Sequence, residues 1–262
     1  MGTIAFKLTL TPVLILAASL AERRWGQTVG GWLVALPLTT GPVTFFLAME
    51  QGTGFAARAA GGALAGATAE ACFCFAFGAA AARGAPIAFA SGTLAFVAAG
   101  IPIGVFRLGL PLSTLLTVVS LVLGLGLMPR RAVANIAPVR PPAWDLPARM
   151  AVATMLVVAI TTAAPLLGPR LSGLIATFPV FVAVLGIFAM RQQGASAAQQ
   201  LMRGVLAGLF SFAAFFLALG LAIESLGIAM GFIAAGLLAV AVQACSLWVL
   251  NRSGFIARGA PG

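Results

Sequence analysis

Histidine and tyrosine are absent from this chain, and only five of its 262 residues carry a negative charge. Without histidine there is no imidazole to act as a general base or as a metal ligand. The few acids form no carboxylate pair at a spacing useful for acid–base work. No nucleophile motif occurs, and no Gly-rich phosphate loop followed by Lys-Ser/Thr. The checklist for a catalytic site is almost empty. An enzyme is therefore not expected, and neither is a metal or a cofactor.

Charge of either sign is scarce. Charged residues make up 8% of the chain and hydrophobic ones 61%, against about 25% and 45–50% in an ordinary soluble domain. A soluble protein so poor in charge could not cover its own surface, so lipid has to solvate most of it. The net charge of +10 would ordinarily raise nucleic acid as a partner. Here the basic residues stand singly or in pairs between apolar blocks, without the clustered surface that phosphate binding needs. Nucleic acid is excluded as a partner on that ground.

The three cysteines, Cys72, Cys74 and Cys245, all lie in apolar segments. Cys72 and Cys74 are two apart and would not face each other on a helix. They read as small packing residues.

What the chain does have is long apolar runs. A span needs about 20 mostly apolar residues, and that rule finds nine: 3–21, 26–49, 54–82, 85–106, 108–128, 148–168, 170–191, 195–223 and 228–250. The fourth and fifth are divided at Arg107-Leu108-Gly109-Leu110-Pro111, where a charge, a glycine and a proline interrupt the run. The first segment resembles a secretory signal, with Lys7 before an apolar stretch ending in Ala17-Ala18-Ser19, but its place in the repeat below argues that it is retained. The expected fold class is all-α, a polytopic helical membrane protein of about nine helices.

Arginine placement sets an orientation. With the N-terminus outside, the cytoplasmic side holds Arg23, Arg24, Arg83, Arg130, Arg131, Arg140, Arg149, Arg191, Arg203, Arg252 and Arg258, and the other side only Lys7, Arg58, Arg107 and Arg170. Such a bias is the positive-inside pattern. It predicts a multi-pass protein of the plasma (inner) membrane with its C-terminus in the cytoplasm. The basic, proline-rich connection 129–147 would then lie near anionic headgroups.

The chain also matches itself at an offset of 142. Gly26, Gly31, Pro37, Phe46, Gln51 and Gly52 recur as Gly168, Gly173, Pro179, Phe188, Gln193 and Gly194; Gly62, Leu64, Ala65 and Gly66 recur as Gly204, Leu206, Ala207 and Gly208. Residues 7–80 against 149–222 share 19 identities in 74 ungapped positions, where composition alone gives roughly 7 or 8. With a one-residue shift, Gly84, Phe89, Leu94 and Val97 match Gly227, Phe232, Leu237 and Val240. Five spans precede the second copy. Five is odd, so the two copies would sit in opposite orientation, as in many secondary transporters.

The organisation that follows is a first repeat with an unpaired fifth helix (1–128), the basic loop (129–147), a second repeat (148–250) and a cytoplasmic tail (251–262). The second half, through Leu171-Ser172-Gly173-Leu174-Ile175-Ala176-Thr177-Phe178-Pro179-Val180-Phe181 and Gln193-Gly194, resembles the GlpM-like small membrane proteins. Gly30-Gly31-Trp32-Leu33-Val34-Ala35-Leu36-Pro37 echoes it in the first half. The resemblance covers about 80 residues per half and carries no settled activity. The layout also looks like the drug/metabolite transporter superfamily, which is likeness of plan alone.

Glu70 is the sharpest candidate for function. It stands near the middle of the third span, where a carboxylate is costly unless protonated, paired or facing water. Proton coupling or cation binding would use such a group; a protonated structural carboxyl is the plainer alternative. Its repeat partner is Phe212, so only one half has it. Pro37 and Pro179 occupy matched positions inside the second and seventh spans. Each removes a backbone donor and frees a carbonyl one turn earlier, either as a broken helix exposing a site or as an ordinary kink. Thr39 and Thr40 stand beside the first break. Gln199 and Arg203 share a face of the eighth span and could meet an anionic substrate, although Arg203 is better placed to snorkel to headgroups.

Gly52 and Gly194 follow Gln51 and Gln193 as C-terminal caps in the left-handed conformation. The Gly62/Gly66 and Gly204/Gly208 pairs would let the third and eighth helices pack closely. Gln243 reads as an interhelical hydrogen bond, and Ser113, Thr117 and Ser120 as packing on the fifth helix.

The expected function is a small secondary transporter of an unidentified small molecule, with a site between the proline-broken helices and proton coupling as an option. The alternative is a non-transporting membrane accessory or scaffold component of a partner complex. Expected partners are the lipid bilayer, a small-molecule substrate and a second copy in a homodimer.

Overall fold

In lipid the backbone has no partner except itself, so stretches of Ala, Leu, Val and Gly satisfy their peptide groups by coiling. The computed structural model describes residues 2–37, 40–106, 108–129, 144–163 and 178–252, and every regular element among them is helical. In chain order they are α1 (Gly2–Trp25), α2 (Gln27–Val34), α3 (Thr40–Gln51), α4 (Thr53–Ala80) with a 3-10 turn (Ala81–Arg83), α5 (Ala85–Phe106), α6 (Leu110–Leu127), α7 (Asp145–Ala163), α8 (Val180–Gln193) and α9 (Ala195–Arg252). Gly227, at φ 76° and ψ 177°, divides the last into α9a (195–226) and α9b (228–252).

Four helices among the described residues are long and apolar enough to cross a membrane: Thr53–Arg83, Ala85–Phe106, Leu110–Leu127 and Ala195–Val249. The last is broken at Gly227, and each of its arms exceeds the ~20 residues of one crossing. These helices fit a membrane-embedded protein. α5 ends at Phe106, and α6 starts at Leu110 with Pro111 in its first turn, where a missing N–H costs nothing. The expected second span is not one helix but two, α2 and α3, with residues 35–39 between them. Of the seventh span only α8 and the two residues before it are described. The loop 130–143, Thr39, Gly168, Gly173, Arg170 and most of the stretch resembling the GlpM-like proteins lie outside the described residues.

Consecutive helices are joined through single glycines. Gly52 has φ 85° and ψ 168°, and Gly194 has φ 84° and ψ −176°. The positive φ agrees with a glycine cap, but the extended ψ does not: this is the region essentially only glycine enters, not the left-handed helical cap. The reason is economy of chain. The Gly52 N–H donates to the Ala48 carbonyl (3.0 Å), while its own carbonyl accepts from Ala56 (3.3 Å), so one residue ends α3 and begins α4. Gly194 likewise donates to Met190 (2.9 Å) and accepts from Ala198 (3.5 Å). Gly26, Gly84 and Gly227 share this conformation. Gly52/Gly194 and Gly84/Gly227 are matched pairs of the sequence repeat.

α4 and α9a form the centre. Gln199 of α9a touches Gly78 near the end of α4, and Gly220 sits against Ala60 near its start, so the two helices run antiparallel. Around them Phe73, Phe77, Phe96, Leu121, Leu185, Leu201, Met202 and Leu206 fill one end of the core, and Leu64, Phe216, Leu219 and Ile223 the other. α6 lies along both central helices. Its Leu110 covers Gly220, Gly124 meets Leu206, and Met128 just beyond it covers Gly78. Thr117 of α6 bonds to Thr68 of α4 (3.0 Å) and to the Leu64 carbonyl (2.9 Å), so the serine and threonine face of this helix serves packing.

Gly204 and Gly208 do allow close approach, but to α2 rather than to the third span. A β-carbon at Gly204 would overlap the Thr28 carbonyl, and one at Gly208 would stand 2.5 Å from the Trp32 oxygen. The same offset pairs Thr28 and Trp32 with residues 170 and 174, which are outside the described residues, so the matching contact of Gly62 and Gly66 is not described.

Candidate functional site

Glu70 sits on α4 between the two contacts that define the central crossing, level with the stretch around Leu209–Ser211 of α9a. Its neighbours Ala69 and Ala71 are buried, while Glu70 itself is half-buried. Among the described residues nothing donates a hydrogen bond to its carboxyl and no cation pairs with it. Phe212, its repeat mate, instead stacks on Phe216 with centroids 4.6 Å apart. One side of the crossing is thus polar and the other aromatic.

The two helix breaks flank this level. Pro179 is buried at the N-cap of α8, accepting from the Ala183 N–H at 2.9 Å. Phe178 before it lies among Phe73, Phe89 and Phe96, with centroids 5.8, 6.3 and 5.4 Å away. Phe73 is one turn from Glu70 on α4. Pro37 lies in the gap between α2 and α3, where its carbonyl accepts from the Gly41 N–H (2.9 Å), and Gly41 faces the Phe215 ring. Phe215 is the repeat mate of Phe73. Each break therefore abuts the corresponding phenylalanine of the opposite central helix or its mate. Thr40 opens α3, its carbonyl taken by Thr44 Oγ1 at 2.8 Å.

Gln199 and Arg203 are brought together, but not with Glu70. Gln199 donates to the Gly78 carbonyl (2.9 Å), eight residues beyond Glu70 on α4, or about 12 Å along a helix. Arg203 does not reach out to headgroups. It is 9% exposed and donates to the Met128 (2.8 Å) and Pro129 (2.9 Å) carbonyls at the end of α6. Helix C-termini leave four carbonyls without partners, and a cation is a good match for them. Gln243 makes the expected interhelical bond, to the Trp32 carbonyl (3.0 Å). Cys74 is buried, Cys72 partly so, and Cys245 exposed.

Sequence reasoning overlooked the most polar place in the described structure. At one end of the bundle Arg149 Nη1 donates to Glu22 Oε2 (2.7 Å), its Nε to Asp145 Oδ1 (3.1 Å) and its Nη2 to Gln192 Oε1 (3.3 Å). Arg23 Nη2 donates to Asp145 Oδ2 (2.9 Å), Gln192 Nε2 donates to Asp145 Oδ1, and Gln27 Nε2 donates to Glu22 Oε1 (2.5 Å). The Arg149 guanidinium also lies over the Phe188 ring, 5.3 Å from its centroid. Asp145 is 0% exposed, Arg149 2% and Glu22 4%. Two acids and two arginines balance, as burial requires. The signal was there in part. Two of only five acids stand beside or four residues from an arginine, at Glu22-Arg23 and Asp145/Arg149.

Comparison with known proteins finds no matching family model, no matching curated protein and no matching solved structure.

Proposed function

We propose that this chain is a small secondary transporter, built from two inverted repeats of four spans with α6 as the unpaired connector. One observation carries the reading: repeat mates run antiparallel. The end of α1 meets the start of α7 through Glu22 and Arg149, and α4 runs against α9a. Inverted repeats produce such opposed mates, and they give two halves able to rock about a central site. The matched glycine junctions and the two proline breaks support the same plan.

The site in this reading is the central crossing. Glu70 supplies a carboxylate there with no protein partner among the described residues, and the helix breaks at Pro37 and Pro179 lie to either side. In this reading the nine-span count comes from the apolar runs, and the outward N-terminus, the cytoplasmic C-terminus and the inner-membrane location from arginine placement.

A thermal-stability screen of the purified protein against a metabolite panel at several pH values tests the proposal, with Glu70→Gln alongside. A ligand that binds only the folded form raises apparent stability with concentration. The expected result is a saturable shift that Glu70→Gln abolishes or renders insensitive to pH. No shift across the panel, with the variant matching the parent, would favour the accessory role instead.

A further inference from the structure

The ionic network at the end of the bundle joins the two halves of the chain. Glu22, Arg23 and Gln27 belong to the first repeat, and Arg149 and Gln192 to the second, with Asp145 just before it. Within the network only the Asp145–Arg149 pair lies inside one element; every other bond links α1 to α2, α1 to α7, or α7 to α8.

Buried ion pairs are a poor way to hold a fold together. Taking charges out of water costs about as much as their attraction returns, and apolar side chains of equal volume often stabilise more. Charges suit a contact that must open. When the halves part, each group is rehydrated instead of being left bare, so the paired and the separated states stay close in free energy. Apolar side chains would make parting costly.

The network is also one-sided. The offset of 142 maps Asp145 to Thr3 and Glu22 to Ala164, so neither acid has a counterpart at the opposite end. Gln192 maps to Glu50, which is exposed. The same lock cannot be built there.

We propose that Glu22, Arg23, Asp145, Arg149 and Gln192 form a gate that closes the arginine-rich end of the bundle, and that this structure shows it shut. The inference rests on the two-repeat transport reading, but its test is read without a substrate.

Native Cys72, Cys74 and Cys245 are replaced by alanine in the full chain, and a single cysteine is placed at Ala153. That residue is 0% exposed and one turn beyond Arg149 on α7. A second single-cysteine protein carries the probe at Ala60, equally buried at the other end. Labelling by a membrane-impermeant maleimide is followed in membranes opened to both sides. The gate predicts slow labelling at both probes in the parent. Glu22→Gln or Arg149→Gln should speed the probe at 153 at least tenfold, leave the probe at 60 unchanged, and do so less for Arg149→Lys, which keeps the charge. Unchanged labelling at 153 overturns the gate, and so does equal acceleration at both probes, which marks general loosening. Gln192→Ala, which removes its bonds to Arg149 and Asp145 but no charge and adds no large apolar contact, covers the case in which the charge variants do not fold: no acceleration at 153 in a folded Gln192→Ala protein also overturns it. A failed ligand screen with selective acceleration at 153 would reject transport and keep a mobile end.

Discussion

Gly204 of α9a and Thr28 of α2 touch backbone to backbone: a β-carbon at 204 would overlap the Thr28 carbonyl oxygen. Gly31 repeats the contact in reverse, since a β-carbon there would overlap the Leu201 carbonyl. Lipid is as apolar as the helices, so close packing of small residues has to hold them together. Gly204→Ala is expected to lower stability by about 1–3 kcal/mol through overpacking. Gly126→Ala on the exposed side of α6, with open space around it, should be neutral or slightly stabilising. Thermal unfolding in one detergent compares them, and equal behaviour would contradict the α2–α9a contact.

The junction glycines yield a sharper test. Space around Gly52 and Gly194 is open, so any cost of substitution comes from the backbone alone. Gly194→Ala should destabilise by about 1–3 kcal/mol. Gly194→Asn should be no better, because asparagine tolerates the left-handed helical region but not a positive φ with extended ψ. Rescue by asparagine would show a left-handed cap at that turn.

For the ionic network, a broken pair and a replaced network should differ. Arg149→Met alone leaves Glu22 and Asp145 buried without their main partner and should cost about 3–5 kcal/mol. Glu22→Leu, Asp145→Leu and Arg149→Met together should fold as stably as the parent or more so, since Arg23 is 35% exposed and can turn to water. In the gate reading this triple variant is held shut, with labelling at position 153 no faster than in the parent. Fast labelling in a stable triple variant would contradict it.

The prolines test the site. Pro37→Ala and Pro179→Ala restore a backbone donor at each break. Half-buried Pro37→Ala should leave unfolding within about 1 kcal/mol of the parent and buried Pro179→Ala should cost more, while saturable ligand binding weakens at least tenfold in both. Retained binding in both would separate the breaks from the site.

Glu70 and the prolines were visible early because each violates a local expectation: an acid in an apolar run, a missing donor in a helix. Gln199 and Arg203 stood out for the same reason, yet they cap α4 and α6. A polar residue near a span end has two destinations, and only the neighbouring helix decides between them. Glu22 and Arg149 carry a weaker signal, because charges at span ends look like ordinary headgroup contacts.

The sequence by itself determined the helical class, the apolar character that fits a membrane, most helix limits among the described residues and the self-match. These follow from local composition: apolar runs set crossings, and glycine and proline punctuate them. The tertiary structure alone decided which helix each small residue touches, the extended ψ of the junction glycines, and the pairing of Arg23 with Asp145 and Glu22 with Arg149 across 122 and 127 residues. Lipid gives every helix the same apolar signature. Partner choice therefore rests on the fit of surfaces far apart in the chain, and periodicity carries no record of it.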